Sequence, residues 1–416
     1  MRSFPVSGRL APLAERPYRL FFSAATISTL GDSVAGIALA FAVLDLTGTP
    51  KPLYLAIVFA GRQLANGALV LYGGVLSDRL PRNRILVGAA IGQGAAQAAT
   101  AAVVLSGSAT IGLLVVLQVV YGAADAFVIP AETGLVPQTV TDERLQEANA
   151  LRGMMRNLIF VVGPAIGGVI VVAGSPGIAL AIDAASFAGA AILLARIRIP
   201  PRTAPAEHPH FLRELREGWR EFTSRTWLWS TVVIFGLGNF FFMFWPVLGP
   251  TVAKEHLGGA GSWAKILVAN GIGAVIGGVV ALRYRPRLPL VSCILWPMLV
   301  CAQLVALALH APTWLIASAS FFAGLGLAIH LTLWFTIFQR EVPEHAQSRV
   351  SSYDSLGSFV LTPLGLVAAG LIAAGIGASN AAWLAAGAIL VLNSSMLLIP
   401  SVWRVGRIGR PSTITA

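Results

Sequence analysis

Leu71-Tyr72-Gly73-Gly74-Val75-Leu76-Ser77-Asp78-Arg79-Leu80-Pro81-Arg82-Asn83-Arg84-Ile85 is a tight, charged hinge between two long apolar runs. Before it, residues 52–76 are apolar except for Arg62, Gln63 and Asn66; after it, residues 85–105 carry no charge. Each run is long enough to cross a bilayer as a helix, since about 20 residues at a rise of ~1.5 Å cover the ~30 Å hydrocarbon layer. Glycines at 73 and 74 would let two helix ends pack closely. Asp78, Arg79, Arg82 and Arg84 then fall at the membrane surface.

The rest of the chain has the same character. Of its 416 residues 56% are apolar and 11% are charged, with a mean hydropathy of +0.77; soluble domains carry about 25% charged residues. The composition therefore reads as a polytopic membrane protein. A formal net charge of +11 could suggest nucleic acid, but the distribution speaks against it. Only Arg62 among the arginines falls deep inside an apolar run; the others lie in connections or towards run ends. Cys293 and Cys301 fall on one predicted helix, separated by about 12 Å, too far for a disulfide. No metal-ligand spacing occurs, so neither a metal nor another cofactor is expected. The first apolar run is longer than a signal-peptide core and reads as a retained helix.

Hydropathy predicts twelve spans, at roughly 18–44, 52–76, 85–106, 109–131, 151–173, 177–196, 227–250, 262–283, 288–309, 312–338, 351–374 and 379–400. The connections alternate. One set holds the arginines; the other is short and holds only Lys51, Lys254 and Lys265. Loops rich in Arg and Lys stay cytoplasmic, which puts both termini inside and requires an even number of spans. The one long connection begins with Pro200-Pro201 and continues as a predicted surface helix, residues 211–223. It divides the chain into an N-terminal six-helix bundle (1–196), a cytoplasmic linker with that surface helix (197–226) and a C-terminal six-helix bundle (227–416). The halves repeat: Leu30-Gly31-Asp32 aligns with Leu237-Gly238-Asn239, and Gly163-Pro164 with Thr362-Pro363. Such duplications place a substrate site between halves near the midplane.

The hinge resembles the signature loop between helices 2 and 3 of the major facilitator superfamily, G-x-[LV]-[SA]-D-R-x-G-R-[KR]. Gly74, Leu76, Ser77, Asp78, Arg79 and Arg82 match; Pro81 and Asn83 depart from it. Pro81, together with Gly163-Pro164-Ala165-Ile166-Gly167-Gly168 in span 5, looks like the drug/proton antiporter branch that includes macrolide and siderophore exporters. In that branch the G-P-x-x-G-G pattern goes with export, and Gly163, Pro164, Gly167 and Gly168 are the residues that carry it. The resemblance implies an all-α membrane protein of twelve helices in two pseudo-symmetric bundles. It also implies that Asp78, with Arg79 and Arg82, faces the N-terminal end of helix 11, near residues 351–358, as a cytoplasmic gate. The arginine that the family keeps in span 4 is missing, and Gln118 stands in its place.

An ionisable group inside a spanning helix is a functional candidate, because holding it there costs about 3 kcal/mol or more. Asp32 and Arg62 fall at similar depth on consecutive helices and should approach each other. Asp32 would accept the proton and Arg62 would hold it ionised until displaced; the plainer alternative is a permanent ion pair that fixes two helices. Asp125 could be a second protonation site or could cap a kink before Pro130. Glu132 should meet Arg82, Arg84 or Arg152. Asp183 would tie helix ends. In the second half, poor in buried charge and rich in aromatic residues, Asn239, Phe240, Phe244, His330 and Trp334 are candidates for a substrate cavity. The expectation is a proton-coupled exporter of hydrophobic or amphipathic small molecules such as antibiotics, toxic metabolites or siderophores. It would be driven by the proton gradient without a cofactor, work by alternating access, and sit as a monomer among the lipids of the cell membrane without nucleic acid. A nutrient symporter or importer, or a lipid flippase, is the alternative; no clustered chemistry suggests an enzyme.

Overall fold

The structure, a computed structural model, describes residues 11–46, 51–198 and 211–405. All regular structure among them is helical. They fall into two compact units, one within Met1–Pro50 and Ile57–Ala206, the other within Lys51–Ala56 and Glu207–Ala416.

The first unit contains α1 (Arg16–Asp45), α2 (Pro52–Arg79) from Ile57 onward, α3 (Arg82–Leu105), α4 (Ile111–Asp125), α5 (Val128–Leu135), α6 (Leu145–Ala173) and α7 (Pro176–Ala195). Local chemistry sets several starts. Thr110 and Ser175 accept hydrogen bonds from the backbone N–H groups of Leu113 and Ile178, both at 3.3 Å, and so satisfy amides that a helix N-terminus leaves free. Pro17, Pro52 and Pro176 occupy first turns, where no N–H is needed. Between α2 and α3 only Leu80 and Pro81 are non-helical, so the charged hinge is a two-residue break and Asp78–Arg79 close α2. The core is apolar, around Tyr18, Phe21, Tyr121, Leu135 and Phe187. The Tyr18 hydroxyl donates to the carbonyl oxygen of Ala148 at 2.6 Å, which ties α1 to the start of α6.

Two spans of this unit differ from the hydropathy reading. Span 4 is not one rod: it breaks at Ala126–Phe127, and α5 carries it on. Span 5 begins at Leu145 rather than 151, because the polar turn Glu147–Arg152 continues the apolar helix beyond the hydrophobic window.

The second unit contains α8 (Phe211–Thr223), α9 (Thr226–Phe242), α10 (Phe244–His256), α11 (Ala260–Arg283), α12 (Pro289–Leu295), α13 (Leu299–Ala308), α14 (Thr313–Glu341), α15 (Glu344–Phe359), α16 (Thr362–Ile376) and α17 (Ala378–Met396). Amphipathic α8 lays Trp219 and Phe222 on Tyr353 of α15, with ring centroids 5.4 and 5.9 Å apart. Small residues let α11 and α14 touch backbone to backbone: a side chain at Gly277 would meet the Cα of Leu325 at 2.8 Å. The helix of the eleventh span, α15, starts at Glu344 behind Pro343, so residues 351–358 lie inside a helix and not at its N-terminus. The N-terminus expected near them is seven residues earlier, where Pro343 allows a helix to begin but not to be entered from before.

Among the described residues eleven helices or joined helix pairs are long and apolar enough to cross a membrane. The 19-residue α17, which carries Asn380, Asn393, Ser394 and Ser395, is the twelfth rod.

Candidate functional site

The first unit brings polar groups from several helices into contact. Asp32 lies in the middle of α1 and Arg62 in the first half of α2. Arg62 Nη2 is 3.3 Å from Asp32 Oδ1, and each side chain is about one-third exposed (29% and 31%), so neither is sealed away. Tyr121 of α4 completes the arrangement from below. Its hydroxyl donates to the same Asp32 oxygen, and its ring lies 4.0 Å under the Arg62 guanidinium. A cation over an aromatic face is attracted to it, so the ring holds Arg62 while the hydroxyl holds Asp32.

Helical spacing extends this group. One turn beyond Arg62, Asn66 donates to Asp125 Oδ2 at 2.9 Å; Asp125 lies one turn beyond Tyr121. Gln93 of α3 donates to Asp125 Oδ1 at 3.2 Å. One turn further, Gln97 donates to Asp183 Oδ2 at 2.7 Å, and Ser186 to its other oxygen at 3.3 Å. Asp125 therefore bonds to two side chains across α2 and α3 at the end of α4. Asp183 is fully buried in the interior of α7, not at a helix end, and joins α3 to α7. Gln118, one turn before Tyr121, is 1% exposed, and neither of its amide atoms has a partner among the described residues.

Three glycine contacts set this geometry. A Cβ at Gly122 would overlap the backbone carbonyl of Arg62, so α2 and α4 can meet at this level only without one. On α6, Gly163 packs on Ser33 and Gly167 sits 3.0 Å from the Val34 carbonyl oxygen, measured from the Cβ it lacks. Pro164 is inside α6, and Gly168 is buried beside it. The glycine–proline motif thus seats α1 at the residues directly after Asp32.

At the hinge, Gly73 rather than Gly74 makes the close approach: a Cβ there would lie 2.7 Å from the Ala126 carbonyl oxygen, while Gly74 faces open space. Arg82 donates to the carbonyl oxygens of Gly134 and, at 3.4 Å, Ser77. The side chains of Asp78 and Arg79 lie outside the described residues. Glu132 pairs with Arg152 at 2.7 Å.

The second unit holds a cavity of about 340 Å³ among α9, α13, α14, α15 and α17. Asn239, His330 and Trp334 line it; Phe240 and Phe244 do not. The chain breaks at Met243, which turns Phe244 wholly into the core, and Phe242 faces the cavity instead. Asn239 donates to the Ser358 carbonyl oxygen at 2.9 Å. His330 Nδ1 lies 2.7 Å from the Cys293 carbonyl oxygen, a contact that needs its proton on Nδ1 and leaves Nε2 as an acceptor.

Asp354, on α15, is, with Tyr121, a residue that sequence reasoning missed. Its carboxylate accepts from the Trp334 indole N–H at 3.1 Å and from Ser358 at 3.5 Å. In the sequence it is hidden in the polar run Ser351-Ser352-Tyr353-Asp354-Ser355, which reads as the edge of a span. The start of the helix at Glu344 carries it inside. Among the described residues no cluster of His, Cys, Asp and Glu could hold a metal ion.

Comparison with known proteins identifies a family. Residues 21–353 match the model of the Major Facilitator Superfamily. Macrolide efflux protein A of Streptococcus pyogenes is 22% identical over 361 residues, which cover 85% of this chain and 88% of that protein. Multidrug efflux pump Tap of Mycobacterium tuberculosis is 25% identical over 379 residues, 85% and 86% of the two chains. Among solved structures, a bacterial homologue of the human lysosomal transporter Spinster, inward-facing and occupied, superposes with a TM-score of 0.71 at 13% identity over 94% of this chain and 97% of that one. The nucleoside transporter NupG gives 0.71 at 12% identity over 91% and 99%.

Proposed function

The chain belongs to the major facilitator superfamily, as a multi-pass membrane transporter and not an enzyme, and on that footing we propose that it is a proton-coupled exporter of hydrophobic or amphipathic small molecules. The observation that carries the proposal is the Asp32 carboxylate held jointly by Arg62 and Tyr121. The efflux proteins of S. pyogenes and M. tuberculosis, similar over most of the chain, support the direction of transport.

In this reading Asp32 is the proton acceptor. While it is ionised, Arg62 is neutralised and α1 and α2 are held together. A proton arriving from outside removes that attraction and leaves the guanidinium without its counter-charge, at a cost of order 3 kcal/mol at membrane depth. The helices then favour the arrangement open to the cytoplasm. Loss of the proton inward, with substrate bound, restores the pair and reverses the bias, so export proceeds by alternating access of the two halves. Asp125, joined to α2 through Asn66, is the second acid of the relay. The Arg-rich loops put both termini in the cytoplasm. The protein acts as a monomer among lipids of the cell membrane, with protons and the small molecule as its partners.

A susceptibility panel on cells with and without the protein, at two external pH values, tests the proposal. Protection that is stronger at the more acidic pH is expected for at least one hydrophobic compound. Protection that is equal at both, or increased accumulation in cells carrying the protein, contradicts it.

A further inference from the structure

We infer that the cavity of the second unit binds an organic cation, with Asp354 as its counter-charge. This inference rests on the transporter reading above and adds to it the charge of the molecule carried and the place that recognises it.

The walls are mostly aromatic and aliphatic. Phe235, Phe242, Trp334, Phe335 and Phe359 face the space, and its size lies at the low end of the ~300–1,000 Å³ usual for small-molecule sites. Set in these walls is one acid. An ionised carboxylate offers about four lone-pair positions; Asp354 uses one for the Trp334 indole at 3.1 Å and another for a long contact to Ser358. No lysine or arginine pairs with it among the described residues, unlike Asp32, Glu132 and Glu221, each of which has an arginine at 2.7–3.3 Å. A carboxylate kept in apolar surroundings without a cation is costly, and a positively charged ligand removes that cost.

Neighbouring groups agree with this assignment. Asn393, 5% exposed, lines the cavity and offers its amide oxygen as a further acceptor. His330 bonds through Nδ1 and keeps Nε2 as an acceptor on the cavity wall. Acceptors and aromatic faces both suit a protonated or quaternary amine carrying apolar groups. They suit an anion poorly, because the lining has no cationic side chain. An inorganic ion would leave the aromatic walls without a role, since hard cations take several oxygen ligands.

The test is equilibrium binding to the purified full-length chain in detergent, with no gradient, using two probes of nearly the same shape. Methyltriphenylphosphonium carries the charge and triphenylphosphine oxide does not. In the unmutated chain the cation should bind at least about tenfold more tightly, and Asp354→Asn should remove most of that preference while changing oxide affinity by less than about twofold. Asp354→Glu, which keeps the charge, should retain the preference. Equal affinity of the unmutated chain for the two probes overturns the inference without needing any variant. So does an Asp354→Asn protein that still prefers the cation, or one that loses both probes alike. Because no gradient is present, cation preference in a protein that fails to export keeps the site and counts against the export reading alone.

Discussion

Asp32 and Arg62 could be paired from the sequence because both are charged and both sit at one depth on neighbouring helices. The third member could not. Tyr121 reads as one more aromatic residue in an apolar span, and only its hydroxyl bonded to Asp32 and its face under Arg62 give it a part. A hydrogen bond to a charged group is worth about 1.5–3 kcal/mol. Tyr121→Phe keeps the ring beneath Arg62 and removes the donor, so it should slow pH-gradient-driven efflux by about tenfold while leaving the protein folded. Initial rates in inside-out vesicles measure this; an unchanged rate would show that the hydroxyl has no part in coupling. Asp354 was missed for a different reason. A hydropathy window scores the polar run around it as the end of a span, and a window cannot see that the helix has already run for ten residues.

Helix ends and breaks were the least legible features. Existence and order of the long helices followed from hydropathy, because about 20 apolar residues must become helix in a bilayer to satisfy their own backbone. The starts at Leu145 and Glu344 and the break at Met243 did not, because polar turns can continue a helix outside the apolar layer and aromatic residues on both sides of a break look alike. The break is what exchanges Phe244 for Phe242 at the cavity. Glycines pose the same problem, since a sequence cannot say which of them touches a neighbour. Gly122→Val should force α4 away from the Arg62 backbone and cost about 1–3 kcal/mol of stability. Gly74→Ala, in open space within α2, should be neutral or stabilising by up to about 1 kcal/mol, as alanine favours helix. Thermal unfolding of the two purified variants separates them; equal midpoints would remove the close contact from the account.

At the scale of the whole molecule the sequence reading goes furthest on arrangement and least on cargo. Arginines concentrated in alternate connections predict an orientation by the positive-inside rule, and the repeated motifs predict a duplication. Cargo depends on which side chains meet across helices far apart in the chain, as Asn239, Trp334, Asp354 and Asn393 do around one cavity, and no local pattern encodes that meeting. The central claim is that a carboxylate on α1 exchanges its proton for substrate. Its most direct test is proton uptake and substrate efflux measured together in proteoliposomes under an imposed pH gradient, for the unmutated chain and for Asp32→Asn. The account predicts linked fluxes in the first and, in the second, loss of both gradient-driven fluxes with substrate binding in detergent retained. Coupled efflux undiminished in Asp32→Asn would contradict it.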